Sequence, residues 1–345
     1  AITVTAGSIK LDETGTLAST IAMSGGTLDA DNSSTLSGTL TQAGNITIDV
    51  ADNKTLTYSG SAISLGANTL TLSGGGALSN TNALVLNHAS SKLLLNSITV
   101  DNVSTSHASL GLDVDNDSTV SSLSVAHITP VSIASGSTLS GAITVTAGSI
   151  KLGETGTLAS SISMSGGVLD ADNSLTVSGA LSQSGNITID VADNKTLTYS
   201  GTAISLGANT LTLTGGGNLV SGGLTLNDPS SMLLLNSITV DNVSTSSASL
   251  GLDVDNDSTV TSLTVGHITP VSIASSKTLS GAITVTAGSI KLDETGTLAS
   301  TIAMSGGTLD ADNSSTLSGT LTQAGNITID VADDKTLTYS GSAIS

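Results

Sequence analysis

Hydrophobic residues alternate with Ser, Thr and Gly in short stretches along the whole chain, as at Ile9 and Leu11 or at Leu70 and Leu72. Alternation with a period of two over four or five residues predicts β-strands that bury one face. Gly-Gly, Asp-Asn and Ser-Gly pairs separate the stretches and predict turns. Because no window shows sustained helical periodicity, the pattern predicts an all-β protein.

The alternating stretches recur about every 20 residues. A polar turn followed by Thr-Leu or its equivalent marks one column of positions: Leu17, Leu36, Leu56, Leu78, Ile98, Val120, Leu139, Leu158, Val177, Leu197, Leu219, Ile238, Val260, Leu279, Leu298, Leu317 and Leu337. A second column, with two hydrophobic residues in each stretch, begins with Ile9/Leu11, Leu28/Ala30, Ile46/Ile48, Leu70/Leu72, Leu84/Leu86, Leu110/Leu112 and Val131/Ile133. A third, weaker stretch follows the first column, as at Ile21/Met23, Leu123/Val125 and Ile143/Val145.

Three short strands in each 20 residues are typical of one coil, meaning one complete circuit, of a parallel β-helix (β-solenoid). Successive coils stack at about 4.8 Å, so that like columns pair in parallel. The 17 Thr-Leu-type positions therefore predict about 17 coils and a rod of roughly 80 Å.

The chain also contains a longer repeat, of about 140 residues, that comprises several of the 20-residue repeats. The segment AITVTAGSIKL begins at Ala1, Ala142 and Ala282, which divides the chain into repeats 1–141, 142–281 and 282–345. Residues 282–345 match residues 1–64 except that Asp334 stands in place of Asn53. An array of β-sandwich domains would need linkers near 141 and 281, whereas the rhythm continues there unchanged. We therefore predict one continuous β-solenoid over 1–345, within an array that extends beyond both ends.

Composition and charge exclude several classes of function. The net charge is -19 and there is no Arg, so the chain lacks the basic surface that nucleic-acid binding requires. No run approaches 18 apolar residues, which argues against membrane insertion. Cys is absent, which fits an exported bacterial protein that does without disulfides, and a reducing cytoplasm permits it too.

The segments AGSIKLDETGTL and GNITIDVADNKTLTYSG resemble the repetitive shafts of large bacterial surface proteins, namely filamentous haemagglutinin-type adhesins and autotransporter passengers. The resemblance lies in pattern and composition over the whole chain. It implies a right-handed β-helix, export across the outer membrane, and adhesive or scaffolding work at the cell surface.

No set of residues in the sequence predicts catalysis. The four histidines, His88, His107, His127 and His267, include one repeat-equivalent pair, His127 and His267, which we interpret as turn residues. A solenoid polysaccharide lyase or hydrolase would need carboxylates with Arg, Lys or aromatic residues in one irregular cleft. Here Arg is absent and every feature recurs, so we expect no enzyme activity and no required cofactor. The three tyrosines occupy one repeat-equivalent position, Tyr58, Tyr199 and Tyr339, and we interpret them as rim residues or spaced contact points.

Acidic turns are the most chemically distinctive feature. Asp12, Asp31, Asp49 and Asp113 close the second column, and carboxylates stacked about 5 Å apart on successive coils would repel each other. Ca²⁺ accepts six to eight oxygen ligands in irregular geometry and would relieve that repulsion. The candidate metal ligands are Asp113, Asp115 and Asp117 with their equivalents Asp253, Asp255 and Asp257. Plain solvated turns are the alternative.

Two classes of function remain open at this point. The first is a structural rod of an extracellular or cell-surface bacterial protein: an adhesin shaft, a surface filament or a matrix fibre whose partners are neighbouring copies. The second is a surface along the solenoid that binds glycans or a receptor. An ice-binding face would need Thr-x-Thr pairs in one column, and pairs such as Thr3/Thr5 and Thr69/Thr71 do not keep to one. Near-identical repeats supply length with little distinct chemistry, which favours the rod.

Overall fold

The structure, a computed structural model, describes residues 1–344. In these residues there are 46 short β-strands and no helix. The strands form a parallel β-solenoid of about 17 coils with about 20 residues in each, which confirms the predicted fold class. Two compact units are present: Ala1–Ser163 with Gly167–Ala180, and Met164–Gly166 with Leu181 onward. The continuity of the solenoid over 1–345 and its right-handedness remain predictions, and Ser345 lies outside the described residues.

Each coil contributes one strand to what we call the first sheet, and neighbouring strands pair in parallel within each unit. In the first unit these strands are Ser8–Leu11, Thr27–Ala30, Ile46–Val50, Thr69–Ser73, Lys92–Asn96, Gly111–Val114, Thr129–Ile133, Ser149–Leu152 and Val168–Ala171. In the second unit they are Ile187–Val191, Thr210–Thr214, Met232–Asn236, Gly251–Val254, Thr269–Ile273, Ser289–Leu292, Thr308–Ala311 and Thr328–Val331.

The second sheet carries most of the Thr-Leu-type positions. Its strands in the first unit are Thr16–Leu17, Ser34–Leu36, Thr55–Tyr58, Ala77–Asn80, Thr99–Thr105, Ser118–Val125, Thr138–Val145, Thr157–Leu158 and Leu175–Val177. In the second unit they are Thr196–Tyr199, Asn218–Ser221, Thr239–Val240, Ser258–Val265, Thr278–Val285, Thr297–Leu298, Ser315–Leu317 and Leu337–Tyr339.

The third sheet corresponds to the weak third stretch of the sequence, which is thereby confirmed. Its separate strands are Ile2–Val4, Ile21–Met23, Leu40–Gln42, Ile63–Ser64, Leu84–Leu86, Ser161–Met164, Leu181–Gln183, Ile204–Ser205, Leu224–Leu226, Val243–Thr245, Thr301–Met304 and Leu321–Gln323. In the remaining coils one long strand, such as Ser118–Val125, serves both the second and the third sheet.

The core is a set of aliphatic ladders inside the coils. Leu56 pairs with Leu78 on the next coil, and Val100 and Val120 continue the same column. All four side chains are buried, with at most 2% exposed. Burying one such side chain contributes about 1.5–3 kcal/mol, and each ladder position gains further contacts from the identical position one coil away. Alternate residues face outward, which explains the period-two pattern.

The ladder register differs from the predicted columns at several coils. Val100 rather than Ile98 pairs with Leu78, and Val240 rather than Ile238 pairs with Leu219. Leu56 pairs with Ser34, so that Leu36 faces Tyr58. These predicted alignments were wrong because the coils differ in length. At the corners the strand shifts by two residues relative to its neighbour. A shift of two residues keeps the same side chains pointing into the core.

Three positions of the predicted second column also moved. In the first sheet Leu28 pairs with Ile48, and Ile46 is an additional inward residue of a five-residue strand. Leu84 and Leu86 belong to the third sheet, and Leu93 and Leu95 take their predicted place opposite Leu70 and Leu72. Leu112 and Val114 continue that column, while Leu110 lies outside the strand and is 56% exposed.

The glycine clusters form tight corners, as predicted. Gly74 and Gly75 adopt φ values of 107° and 80°, which L side chains rarely reach. A Cβ at Gly75 would lie 1.8 Å from Oδ1 of Asp52. The second unit repeats this corner at Gly215 and Gly216, so the repeat preserves both the conformation and the space.

We predict that Leu56→Asp unfolds its own coil and the coils next to it. An unpaired carboxylate would enter an aliphatic ladder at a cost of several kcal/mol. Because coils contact mainly their neighbours, hydrogen exchange should rise around residues 34–80 and stay low in remote coils. Thr57→Asp is the matched control, since Thr57 is the exposed neighbour on the same strand, and it should leave exchange unchanged. A uniform rise along the chain would contradict this one-dimensional picture.

Candidate functional site

The six predicted metal ligands lie in equivalent places in the two units. Asp113 is on the outer face of strand Gly111–Val114, and Asp115 and Asp117 follow in the turn. Asp113 pairs in register with Leu94 on one side and with Ser132 on the other. The expected stack of carboxylates is therefore absent at this position, because neighbouring coils present an aliphatic and a hydroxyl side chain.

Direct stacking of two carboxylates occurs elsewhere. Asp29 pairs with Asp49, and Asp310 pairs with Asp330. The prediction that Asp31 aligns with Asp49 was wrong, since Asp29 occupies that rung of the first sheet. Burial raises the pKa of Asp29, and the charges of Asp31 and, to a smaller extent, Asp49 raise it further.

Lysine relieves the repulsion on the outer face of the first sheet. Lys10 Nζ lies 2.7 Å from Asp31 and 3.9 Å from both Asp29 and Asp12. Hydrogen bonding to Asp31 raises the pKa of Lys10, and the same contact lowers the pKa of Asp31. The lysine is half exposed, so solvent screens much of this attraction.

The same lysine cluster recurs in each long repeat. Lys151 Nζ lies 2.8 Å from Asp172 and 3.2 Å from Asp170. In the third repeat Lys291 contacts Asp312 and lies 3.8 Å from Asp293. Three of the eight lysines thus hold equivalent clusters of carboxylates.

Asp113 and Asp253 differ in their partners although they are repeat equivalents. Asp113 forms an ion pair with Lys92, with Lys92 Nζ 2.6 Å from Asp113 Oδ2. Met232 replaces that lysine in the second unit. It pairs with Gly251, as Lys92 pairs with Gly111. Burial raises the pKa of Asp253, and the charges of Asp255 and Glu294 raise it further. The second unit therefore carries a carboxylate without its lysine.

Asp117 and Asp257 cap the next coil. Oδ1 of Asp117 accepts the backbone N–H of Thr138 at 2.8 Å, and Oδ1 of Asp257 accepts that of Thr278 at the same distance. Each carboxylate closes a turn and has one oxygen engaged by the backbone. Within residues 1–344 no group of three or more His, Asp or Glu side chains is arranged to hold a metal ion.

Calcium binding at the six aspartates remains a prediction. Weak binding would raise the melting temperature in millimolar CaCl₂ relative to EDTA at matched ionic strength, since bound ligand stabilises the folded state. Asp117→Asn with Asp257→Asn should abolish the increase while keeping the side-chain oxygen that accepts the Thr N–H. Identical curves in the two buffers would leave solvated acidic turns as the answer.

A shallow groove lies beside each capping aspartate. The first has a volume of about 530 Å³, and its lining includes Ser97, Thr99, Asp117, Thr119 and Thr138. The second, of about 310 Å³, is lined by the repeat equivalents of these residues: Ser237, Thr239, Asp257, Thr259 and Thr278. Hydroxyl groups and one carboxylate at fixed positions can hydrogen-bond a polar ligand such as a sugar.

Two of the three tyrosines, Tyr58 and Tyr199, are core residues, which contradicts their interpretation as rim or contact residues, whereas Tyr339 is partly exposed. Tyr58 is 1% exposed and Tyr199 is 4% exposed. The Tyr58 hydroxyl accepts the N–H of Leu40 at 3.1 Å and donates to the carbonyl of Ser61 at 2.7 Å. Tyr199 makes the equivalent bonds. These hydroxyls form hydrogen bonds with backbone groups at an inner corner. Each tyrosine lies two residues after a buried leucine, Leu56 or Leu197, on the same strand, and this alternation could have indicated its burial.

Sequence reasoning also missed a buried amide network. Asn80 is completely buried and stacks on Tyr58. Its amide donates to the carbonyls of Asn82 and Asn102, at 3.0 and 2.7 Å, and its Oδ1 accepts the N–H groups of Asp101 and Asn102. An Asn at an inward position was the available signal, because a buried amide needs several partners.

Comparison with protein-family models, with curated proteins and with solved structures gave no match. In residues 1–344 no helix is long and apolar enough to span a membrane.

We predict that Met232→Lys stabilises the second unit at neutral pH by up to about 1 kcal/mol, the range of a partly exposed ion pair, and that Lys92→Met destabilises the first unit equally. Asp253 has a raised pKa, so its folded form binds more protons, and stability falls as pH rises through the acid range. The new lysine should reduce that fall. Protection factors of strands Gly251–Val254 and Gly111–Val114 measure both effects.

The control is Met232→Leu, which keeps an apolar side chain without charge and should not alter the pH dependence. Unchanged protection in both lysine variants would show that the Lys92 contact contributes nothing to stability.

Proposed function

We propose that the chain is a structural segment, a rod or filament-forming part, of an extracellular or cell-surface bacterial protein, and that it acts as a spacer rather than as an enzyme. The observation that carries this proposal is that the inner ladders, the lysine clusters and the glycine corners recur from one long repeat to the next. Repetition of this kind adds length and stiffness, while a catalytic site requires one distinct constellation.

Composition supports an exported location. The chain has no Cys and a net charge of -19. High charge of one sign keeps a protein soluble and discourages non-specific association, which suits a surface exposed to medium and to other cells. The outer faces are rich in Thr, Ser and Asp, and these hydrated side chains would keep a long rod dispersed.

Neighbouring copies of the same chain or array are the expected partners, and nucleic acid is not expected because of the negative charge. A second candidate function, binding of glycans along the solenoid, is favoured by the recurring hydroxyl-lined grooves beside Asp117 and Asp257. These grooves have no aromatic platform on which a sugar could stack, so the rod remains the primary proposal.

The test of the rod is small-angle scattering of the monomeric chain. A solenoid of about 17 coils at 4.8 Å should give a maximum dimension of roughly 80 Å and a constant cross-section. A compact globular chain of this length would have a radius of gyration near 20 Å and a shorter maximum dimension. Scattering from a sphere-like particle would overturn the proposal. Val220→Thr, at an exposed side chain, serves as a control that should leave the profile unchanged.

A further inference from the structure

Large exposed apolar side chains are confined to a few places before residue 328 of the described chain. They are Leu110, Ile128, Val220, Leu250 and Ile268, each at least 40% exposed. Four of the five, Leu110 and Ile128 in the first unit and Leu250 and Ile268 in the second, lie at equivalent corners, where a coil passes from the third sheet into the first. We call the corner formed by Leu110, Ile128, His107 and His127 the corner patch, and its second-unit equivalent contains Leu250, Ile268, Ser247 and His267.

The corner patch spans two adjacent coils and is held by backbone bonds. Leu112 pairs with Val131, which places Leu110 and Ile128, just before these strands, on neighbouring coils. The N–H of Leu110 donates to the carbonyl of Ser91 at 3.0 Å. The rings of His107 and His127 stack with centroids 6.5 Å apart. The exposed apolar groups therefore sit on ordered backbone and need little reorganisation to bind.

The patch is also free of the chain's dominant charge. Segments 102–112 and 118–135 contain no Asp or Glu, and neither do 242–252 and 258–275 in the second unit. With a net charge of -19, two copies of this chain repel each other over most of their surface. In the first unit the corner patch is where a second copy can approach closely without bringing carboxylates together, whereas in the second unit Asp228 lies in the turn of the preceding coil whose Ser231 carbonyl accepts the Leu250 N–H.

We propose that the corner patch is a self-association surface and that a second copy of this chain covers it, patch against patch. The proposal rests on the rod function and names the partner through which rods would join laterally. A self-complementary contact of this kind is the usual arrangement in two-fold symmetric dimers. Leu and Ile side chains would exclude water, and the hydroxyl-rich surroundings would form the rim.

Size argues that one patch gives only weak association. Two aliphatic and two imidazole side chains offer a few hundred Å², below the roughly 800 Å² per partner of a stable interface. Each chain carries the patch twice, in residues 107–128 and 247–268, so that each unit offers its own contact. We expect weak, concentration-dependent association of the whole chain.

Sedimentation equilibrium at fixed ionic strength tests the proposal with four proteins. The wild-type chain should associate reversibly as concentration rises. The variant Leu110→Ser, Ile128→Thr, Leu250→Ser and Ile268→Thr should be monomeric at the same concentrations. Changing only Leu110 and Ile128 should weaken association without abolishing it, because one of the two patches is lost. Val220→Thr removes an exposed apolar side chain outside the patch and should associate like wild type.

A crosslinking experiment gives a second readout that does not depend on the apolar substitutions. The chain has no Cys, so Ala108→Cys places a single thiol in the exposed part of the patch. Mild oxidation should join copies by disulfides faster than in Thr14→Cys, whose thiol lies on an exposed turn far from the patch in sequence. Equal rates would overturn the proposal.

Two other outcomes would also overturn it. The wild-type chain could stay monomeric up to about millimolar concentration. A dissociation constant weaker than that corresponds to negligible specific association, and the patch would then belong to a different partner. Association that the fourfold variant retains would assign it to another surface, such as the open end coils. An elongated monomer would overturn only the self-association, whereas a compact particle would overturn the rod function independently of it.

Discussion

Every coil of this protein depends on the coil beside it for burial. One circuit of about 20 residues cannot enclose its own aliphatic side chains, so Leu56 is buried only because Leu78 stacks on one side and the residues of the preceding coil stack on the other. The parallel spacing of about 4.8 Å sets which side chains fit this arrangement. Stacked aliphatic residues fill most of the inner ladders, and the buried Tyr58 and Tyr199 are the aromatic exceptions.

The same stacking that aligns leucines inside also aligns charges outside. Lys10 lies opposite Asp29, and Asp29 lies opposite Asp49, so the first sheet alternates attraction with repulsion along its outer face. Lys10 extends to Asp31 and Asp12 as well, which spreads one positive charge over several carboxylates. Where Met232 stands in place of the lysine, the aspartate on the next coil, Asp253, has a pKa raised by burial and by the charges of Asp255 and Glu294. Charge balance is therefore a property of pairs of coils.

The fold class could be predicted from the sequence. Alternation with a period of two marks the buried face of each strand, and the 20-residue recurrence marks the length of one coil. The register was only partly accessible. Sliding a strand by two residues keeps the same face inward, so Ile98 and Val100 are equally good candidates by pattern, and both are buried. In the first unit Asn80 holds the following corner through four hydrogen bonds, whereas Ser221 stands at the equivalent place in the second unit and the register is the same. Corner chemistry of this kind leaves no periodic signal.

Of the candidate site, the sequence predicted which aspartates are exposed at turns but not what they contact. Lys92 lies 21 positions before Asp113, one coil away, and their pairing at 2.6 Å depends on the register of two strands. The burial of Tyr58 was missed for a related reason, because a hydroxyl group suggests the surface until a specific corner is seen to need it. Contacts between coils are set by register, and an error of two residues changes every outward partner.

Differences between the repeats show which positions the ladders leave free to vary. The single change between the first and third repeats, Asn53 to Asp334, falls where the backbone is left-handed, with φ near 60° in both. Asn and Asp are the non-glycine residues that tolerate this conformation best, so the exchange conserves the turn and alters one charge.

The first and second repeats differ in the same restrained way. Lys92 to Met232 and His107 to Ser247 are changes at outer or corner positions, while the inward residues beside them stay aliphatic. Buried positions also vary: Ser34 becomes Leu175, Leu36 becomes Val177, and Asn80 becomes Ser221. The ladders therefore fix burial at these positions and leave the identity of the side chain free to change. Leu110 and Leu250 are the opposite case, since both repeats keep an apolar side chain at a corner where it is exposed.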